Sequence, residues 1–159
     1  MYTHNSVIVK RRPDLENANI SSIWLEVGLP YKRKILMCHA YREWKHMAQG
    51  DNSFATLNAQ LERWLMFLDQ WERALLEDKE VIVAMDANIE FLKWTRSNQS
   101  ASDSTARLKP LIEELFSNIV PQGVSQMVTV PTRMRAGQAE SVLDHLYTNR
   151  GVCRVYRGI

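Results

Sequence analysis

The amino-acid sequence predicts an α/β (α+β) layered domain, in which strands and helices alternate along the chain. Short apolar runs of the kind that form strands lie at residues 6–10, 20–27, 35–41, 81–85, 126–130 and 142–147. In two segments between these runs, apolar residues recur every three or four positions, which is the period of an amphipathic helix. Alternation of this kind is typical of helices packed on the faces of a sheet.

The first helix is predicted at about residues 55–76 and the second around residues 108–116. The strand at 35–41 is mostly apolar, so it is expected to be covered on both faces. The apolar, β-branched run at 81–85 predicts a central buried strand, whose end should carry the chemistry. The apolar face of the first helix is predicted to consist of Leu57, Leu61, Trp64, Leu65, Leu68, Trp71 and Leu75.

The composition indicates one compact domain without a strong charge bias. Of 159 residues, 45% are hydrophobic and 24% are charged, and the net charge is only +2. A strongly basic balance, which would by itself indicate nucleic-acid binding, is excluded, so any phosphate-binding surface must be local. Cys38 and Cys153 are expected to be buried thiols of a reducing compartment. Because no apolar run reaches about 18 residues, an intracellular protein, nuclear or cytoplasmic, with no membrane partner is expected.

Polar residues follow the buried strand at 81–85. In an extended chain residues two apart share a face, so Asp86 and Asn88 are expected to project together from its end. A carboxylate can orient or deprotonate a water, and a carboxamide can donate a hydrogen bond to a phosphate oxygen, which suits phosphodiester hydrolysis. The alternative is a turn in which both side chains bond their own backbone.

Two further strands carry polar residues that favour the site. Asp144 lies within an apolar stretch, where a carboxylate is costly unless it is paired. Tyr41 ends the third strand, Arg42 follows it, and His39 lies two residues earlier on the same face. The phenol, the guanidinium and the imidazole are all candidate phosphate contacts.

With these residues in place, the sequence resembles the endonuclease/exonuclease/phosphatase superfamily, and specifically the endonuclease domain of non-LTR retrotransposons. The resemblance rests on four ordered segments that span most of residues 20–149: ISSIWLEV, ILMCHAYRE, VIVAMDANIEFLKW and VPTRMRAGQAESVLDHLYTN. The family's Gly-Asp-x-Asn box is present as MDAN, with its glycine replaced, and the Ser-x-Leu-Asp box as SVLD. The resemblance implies a four-layer α/β/β/α sandwich, of which residues 1–159 would form a single, incomplete domain.

The resemblance also implies roles for the catalytic residues. Asp86 would orient or deprotonate the attacking water, and Asn88 would bind the scissile phosphate. Tyr41 would contact the same phosphate and stabilise the transition state. Asp144 would hold the imidazole of a partner histidine.

Substrate contacts are expected from further residues. Arg42 is a candidate phosphate contact, and Thr132 and Arg133 match a Pro-Thr-Arg stretch that shapes the substrate groove in the family. His39 is a candidate auxiliary residue, although a histidine on a strand is more often a hydrogen-bonded core residue.

The resemblance implies Mg²⁺ or Mn²⁺ in the complete domain, and weak or no metal binding by this chain, which is therefore expected to be impaired as an enzyme. The family's metal-binding glutamate and its closing Ser-Asp-His box are expected outside residues 1–159, and Glu26 is a candidate substitute ligand. Expected partners are DNA and, in the parent polyprotein, a reverse transcriptase domain. An exposed apolar surface is expected where the remaining strands would pack.

Two other functions stay open at this point. A non-catalytic nucleic-acid-binding module of the same fold would bind DNA in a salt-sensitive way without turnover. Another phosphoesterase of the superfamily, acting on phosphoinositides or sphingolipids, would need loops specific for a lipid head group.

Overall fold

A computed structural model describes residues 7–42, 54–89, 103–134 and 140–150 of the chain. The strands are β1 (Ile8–Arg11), β2 (Ser22–Gly28), β3 (Lys34–Tyr41), β4 (Glu80–Asp86), β5 (Ser125–Gln126) and β6 (Asp144–Thr148). The helices are α1 (Phe54–Leu75) and α2 (Asp103–Glu114). All six strands form one sheet in the order β1-β2-β3-β4-β6-β5. The mixed α/β class predicted from the sequence is confirmed.

The pairing of the strands decides where their ends meet. β3 and β4 are parallel, while the other neighbouring pairs are antiparallel. A parallel pair needs a crossover, and α1 lies in the chain between β3 and β4. The carboxyl ends of β3 and β4 therefore meet at one edge of the sheet, where β6 begins.

The core lies between the helices and one face of the sheet. Trp24, Cys38, Val83 and Tyr147 occupy one row across β2, β3, β4 and β6, and all four are buried. Both helices contribute buried residues to this cluster. The predicted core positions of Trp64 and Trp71 and the predicted burial of Cys38 are confirmed, whereas Cys153 lies outside the described residues. The buried residues that α1 contributes are Trp64, Phe67, Leu68, Trp71 and Ala74.

The buried face of α1 differs from the predicted one at several positions, and Ala74 is buried although it was not predicted. Leu65 was expected in the core but is 41% exposed, whereas Phe67 is buried. The helix packs along a stripe through Trp64, Phe67 and Trp71, and Leu65 lies beside that stripe. The side chain of Leu57 lies outside the described residues. Neither described helix has the length and apolar character to cross a lipid bilayer.

The opposite face of the sheet is partly open. Ile23 is 41% exposed there, and Met37 and Ile82 are only half-buried. Both described helices contribute to the core on the other side. The predicted coverage of β3 on both faces holds at Ile35, which is buried, but His39 near the end of β3 is exposed. Apolar side chains of this face are thus partly exposed in the described part of the chain, as the sequence predicted.

The strand predicted at residues 126–130 is shorter in the structure. β5 ends at Gln126, whose side-chain Oε1 accepts the backbone N–H groups of Val128 and of Leu146 on β6, each at 3.0 Å. The side-chain oxygen of Gln126 takes the place of a backbone carbonyl as the acceptor for β6, so the regular pairing of β5 with β6 ends here. The residues predicted as a loop at 134–140 lie mostly outside the described residues.

Acidic and basic side chains form a network where β3 and β4 begin. Glu26 accepts hydrogen bonds from Lys34 at 2.8 Å and from Lys79 at 2.6 Å. Arg12 and Lys79 both pair with Glu77. The hydrogen bonds from the two lysines lower the pKa of Glu26 to about 2, despite the opposing effect of its burial. In the structure Glu26 is occupied by these ion pairs, and its role as a substitute metal ligand remains a prediction.

We expect the substitution Glu26→Gln to make the free energy of unfolding depend less on pH in acid. The folded-state pKa of Glu26 lies below the ordinary value of 4.5, so its stabilising effect is present above that pH and is lost as pH falls from 4.5 to about 2. Glu26→Gln should lower the free energy of unfolding at pH 7 by about 1–3 kcal/mol and reduce its decline in acid. Urea unfolding at a series of pH values measures both, with the exposed Glu62→Gln as the control. An unchanged pH profile would contradict the assignment.

Candidate active site

Three of the four predicted catalytic residues lie in one row at the carboxyl edge. Tyr41 on β3 is in register with Asp86 on β4, and Asp86 is in register with Asp144 on β6. Registered residues on neighbouring strands project to the same face, which here is the face away from the core. The phenol and the two carboxylates therefore lie side by side.

Asp86 and Asp144 lie directly opposite each other on neighbouring strands. The N–H of Ala87 donates to the carbonyl of Leu143 at 3.0 Å, one step beyond the acid pair. Asp86 and Asp144 are thus a non-hydrogen-bonded pair, for which Cα atoms lie about 4.5 Å apart. Like charges directly opposite each other destabilise a sheet. The row concentrates negative charge that attracts cations and orients water.

The Asp86–Asn88 segment is a turn. β4 ends at Asp86, the backbone N–H of Asn88 donates to Asp86 Oδ1 at 3.1 Å, and Asn88 has a φ of 48°. Asparagine is one of the few residues that adopts this left-handed conformation readily. The expectation that Asn88 shares a face with Asp86 in extended chain is therefore wrong. The turn interpretation holds for Asp86 only, because the side chain of Asn88 bonds the carbonyl of Arg42 and not its own backbone. The turn still leaves Asp86 with lone pairs for chemistry, because its Oδ1 is held by a single N–H.

Arg42 is folded against this turn. Its Nε donates to the carbonyl of Ala87 and its Nη2 donates to the carbonyl of Asn88 at 2.9 Å. In return, Asn88 Nδ2 donates to the carbonyl of Arg42 at 2.8 Å. Burial lowers the pKa of Arg42 to about 10, against the opposing effect of the nearby Asp86 and Tyr41. A phosphate contact by Arg42 or Asn88, as predicted, would have to coexist or compete with these bonds.

Thr132 and Arg133 anchor the start of β6. Thr132 Oγ1 accepts the N–H groups of Leu143 and Asp144, both at 3.1 Å. The backbone of Arg133 pairs with Ser141 in both directions, at 3.0 and 3.1 Å. These bonds fix the backbone that carries Asp144. The groove-shaping role remains a prediction for both residues, whose side chains are exposed.

His39 and His145 have different environments. Tyr41, Asp86 and Asp144 are called the acid row below. His39 is exposed on the same face of the sheet, two residues before Tyr41, so it is not a core residue. His145 faces away from Asp144 and is only 4% exposed. The auxiliary role of His39 remains a prediction.

His145 is a structural residue that the sequence did not reveal as such. Its Nε2 lies 3.0 Å from the carbonyl of Ile89 and 3.3 Å from that of Val142. Since carbonyls only accept, Nε2 carries the hydrogen, and Nδ1 accepts from the hydroxyl of Tyr147 at 3.0 Å. Burial lowers the pKa of His145, which favours this neutral form. The imidazole thereby ties the chain after the Asn88 turn to β6.

A cavity of about 80 Å³ lies behind the same edge, between the strands and α1. Its lining includes Ser21, Gln60, Trp64 and Phe67, together with Arg42. Neither carboxylate of the acid row is among the described residues that line it. Tyr41, the third residue of the row, does line the cavity.

Comparison with solved structures identifies the fold. The endonuclease domain of TRAS1, a telomere-specific non-LTR retrotransposon, superposes with a TM-score of 0.52 and 18% sequence identity, covering 89% of this chain and 54% of that one. The fold is of the endonuclease/exonuclease/phosphatase type. The human Nocturnin catalytic domain with bound sulfate matches with a TM-score of 0.40 and 11% identity, over 81% of this chain and 41% of that one. No family model and no curated protein sequence matches the chain significantly.

The chain spans about half the length of the TRAS1 endonuclease structure. The family resemblance of the sequence implies that the complete domain binds a divalent metal ion. Among the described residues no group of three or more His, Cys, Asp or Glu side chains is placed to hold a metal ion. Asp86 and Asp144 supply two carboxylates, whereas Mg²⁺ requires near-octahedral coordination by oxygen. These residues alone therefore do not fit the implied metal site.

Proposed function

We propose that this chain is part of a phosphodiesterase that cleaves DNA, with its chemistry at Tyr41, Asp86 and Asp144. The observation that carries the proposal is the shared register of these residues at the carboxyl edge, on an endonuclease/exonuclease/phosphatase-type fold. In open sheets that contain parallel strands, this edge is where ligands bind.

The residues supply the parts of a hydrolytic step. Asp86 accepts a proton from a water as the water oxygen attacks phosphorus, one P–O ester bond breaks, and the leaving oxygen takes a proton from solvent. The Tyr41 hydroxyl donates to a non-bridging phosphate oxygen, whose charge grows in the transition state. The Asn88 amide has a second hydrogen besides the one donated to Arg42, and that hydrogen serves the same phosphate.

A nucleic-acid substrate is supported by the neighbourhood of the row. The exposed Arg133 lies on the segment that anchors Asp144, where a cation can contact a phosphate backbone. The TRAS1 domain, of like fold, is by name a retrotransposon endonuclease. Dependence on Mg²⁺ or Mn²⁺ and association with a reverse transcriptase domain belong to this proposal.

The direct test is a nicking assay on supercoiled plasmid DNA. The chain is incubated with Mg²⁺, with Mn²⁺ or with EDTA, and open circles are resolved on a gel. Because the described residues hold no complete metal site, we expect only slow accumulation of open circles with either metal and none with EDTA. If the chain instead released phosphate from a soluble inositol phosphate and did not nick DNA, its substrate would belong to the inositol phosphates and not to the nucleic acids.

A non-catalytic nucleic-acid-binding module is the second candidate, and it is favoured by the lack of a three-residue metal cluster among the described residues. It predicts DNA binding whose affinity falls steeply with salt, without open circles under any metal condition. Failure of both binding and nicking would remove both candidates.

A further inference from the structure

Arg42 meets the turn after β4 at three successive carbonyls. Its backbone N–H donates to the carbonyl of Asp86 at 3.0 Å, and its guanidinium donates to the carbonyls of Ala87 and Asn88. A further hydrogen bond runs in the opposite direction, from Asn88 Nδ2 to the carbonyl of Arg42. One residue therefore bonds all three carbonyls of the turn where the chain leaves the sheet.

The turn needs such a partner. The carbonyls of Ala87 and Asn88 lie beyond the end of β4, where no neighbouring strand in the described part of the chain bonds them. The guanidinium is a rigid, planar fork that can reach two carbonyls at once, which a lysine ammonium cannot reproduce. Gln60 Oε1, 3.4 Å from Nη1, adds a contact from α1.

We propose that Arg42 is a positioning residue, which holds the Asp86–Asn88 turn and thereby aims the Asp86 carboxylate beside Tyr41 and Asp144. Tyr41 and Arg42 are joined by one peptide bond, so the same anchor fixes the phenol relative to the acid. The catalytic part of this inference rests on the proposed function, whereas the conformational part does not. It assigns Arg42 to the protein's own turn instead of to the substrate phosphate.

The test compares Arg42→Lys with Arg73→Lys. Arg73 is a matched control, because its guanidinium also donates to two successive carbonyls, of Asp14 at 2.9 Å and of Leu15 at 3.3 Å, at the far end of α1. Three quantities are measured in both variants. They are the hydrogen-exchange protection of the Ala87 and Asn88 amides by NMR, kcat and KM for plasmid nicking, and the salt dependence of DNA binding.

For Arg42→Lys we expect lower protection of the Ala87 and Asn88 amides and a kcat about 10–100-fold lower, with KM and the salt dependence unchanged. Arg73→Lys should leave these amides and kcat unchanged. A raised KM with an unchanged kcat would show a contact with the substrate phosphate and overturn the proposal. Unchanged protection in Arg42→Lys would overturn it whether or not the chain nicks DNA. If the unsubstituted chain has no activity, the proposed function fails, and loss of protection alone still supports Arg42 as the anchor of the turn.

Discussion

The substitution Asp86→Asn is expected to reduce the nicking rate by about 10²–10⁴-fold, the range that a positioned general base contributes. Asparagine has nearly the same shape, and its side-chain oxygen can still accept the N–H of Asn88 that holds the turn. Only the negative charge and the proton acceptor are lost. Because that charge lies directly opposite Asp144, its removal should leave the free energy of unfolding unchanged or slightly increased.

Two measurements distinguish a loss of catalysis from a loss of folding. Plasmid nicking gives the rate, and urea unfolding gives the stability of the same preparation. Asp78→Asn is the control, since Asp78 is fully exposed and makes one long ion pair with Arg150, at 3.4 Å. Nicking by Asp86→Asn at a rate close to that of the unsubstituted chain would remove Asp86 from the mechanism.

The substitution Trp71→Ala is expected to lower the free energy of unfolding by about 3–5 kcal/mol. The Trp71 side chain is 1% exposed, and its ring contacts Tyr147 edge-on at 5.1 Å and Phe67 at 5.9 Å between centroids. Truncation leaves a cavity at the junction of α1 with β6. Since domains of this size are stable by about 5–15 kcal/mol, much of the protein's stability would be lost.

Trp71→Phe provides a sharper comparison than a distant surface change. The indole Nε1 is buried and has no hydrogen-bond partner in the part of the chain that the structure describes. Phenylalanine keeps an aromatic ring and removes this unsatisfied donor, so its cost should be well below that of alanine. Leu65→Ala, on the exposed side of α1, should change the stability least. Equal losses in the three variants, measured by urea unfolding, would contradict the packing described for Trp71.

Much of the fold could be predicted from local sequence pattern. β3, β4 and α1 have strong periodicity, and their observed bounds differ from the predicted ones by one residue at each end or less. The burial of Phe67 in the core instead of Leu65 could not be predicted, because it depends on how α1 is rotated about its axis against the sheet. The early end of β5 depends on a side-chain bond from Gln126 to β6, twenty residues away.

The candidate site was predictable to the extent that it lies on strand ends. Tyr41 and Asp86 were placed there by the apolar runs that precede them, and Asp144 by its apolar flanks. The contacts of Arg42 with the Asn88 turn join residues 46 positions apart, so no local pattern indicates them. The left-handed conformation of Asn88 likewise follows from the closure of that turn.

The register of the acid row has a consequence for how the protein folds. Tyr41 and Asp86 are 45 residues apart in the chain, and Asp86 and Asp144 are a further 58 apart. Contacts between such distant residues form only after long loops have closed, which slows folding and delays these contacts relative to helix formation. A chain that has formed α1 but has not yet paired β3, β4 and β6 contains every side chain of the row and no assembled site. Regain of the row during refolding would therefore report completion of the central sheet.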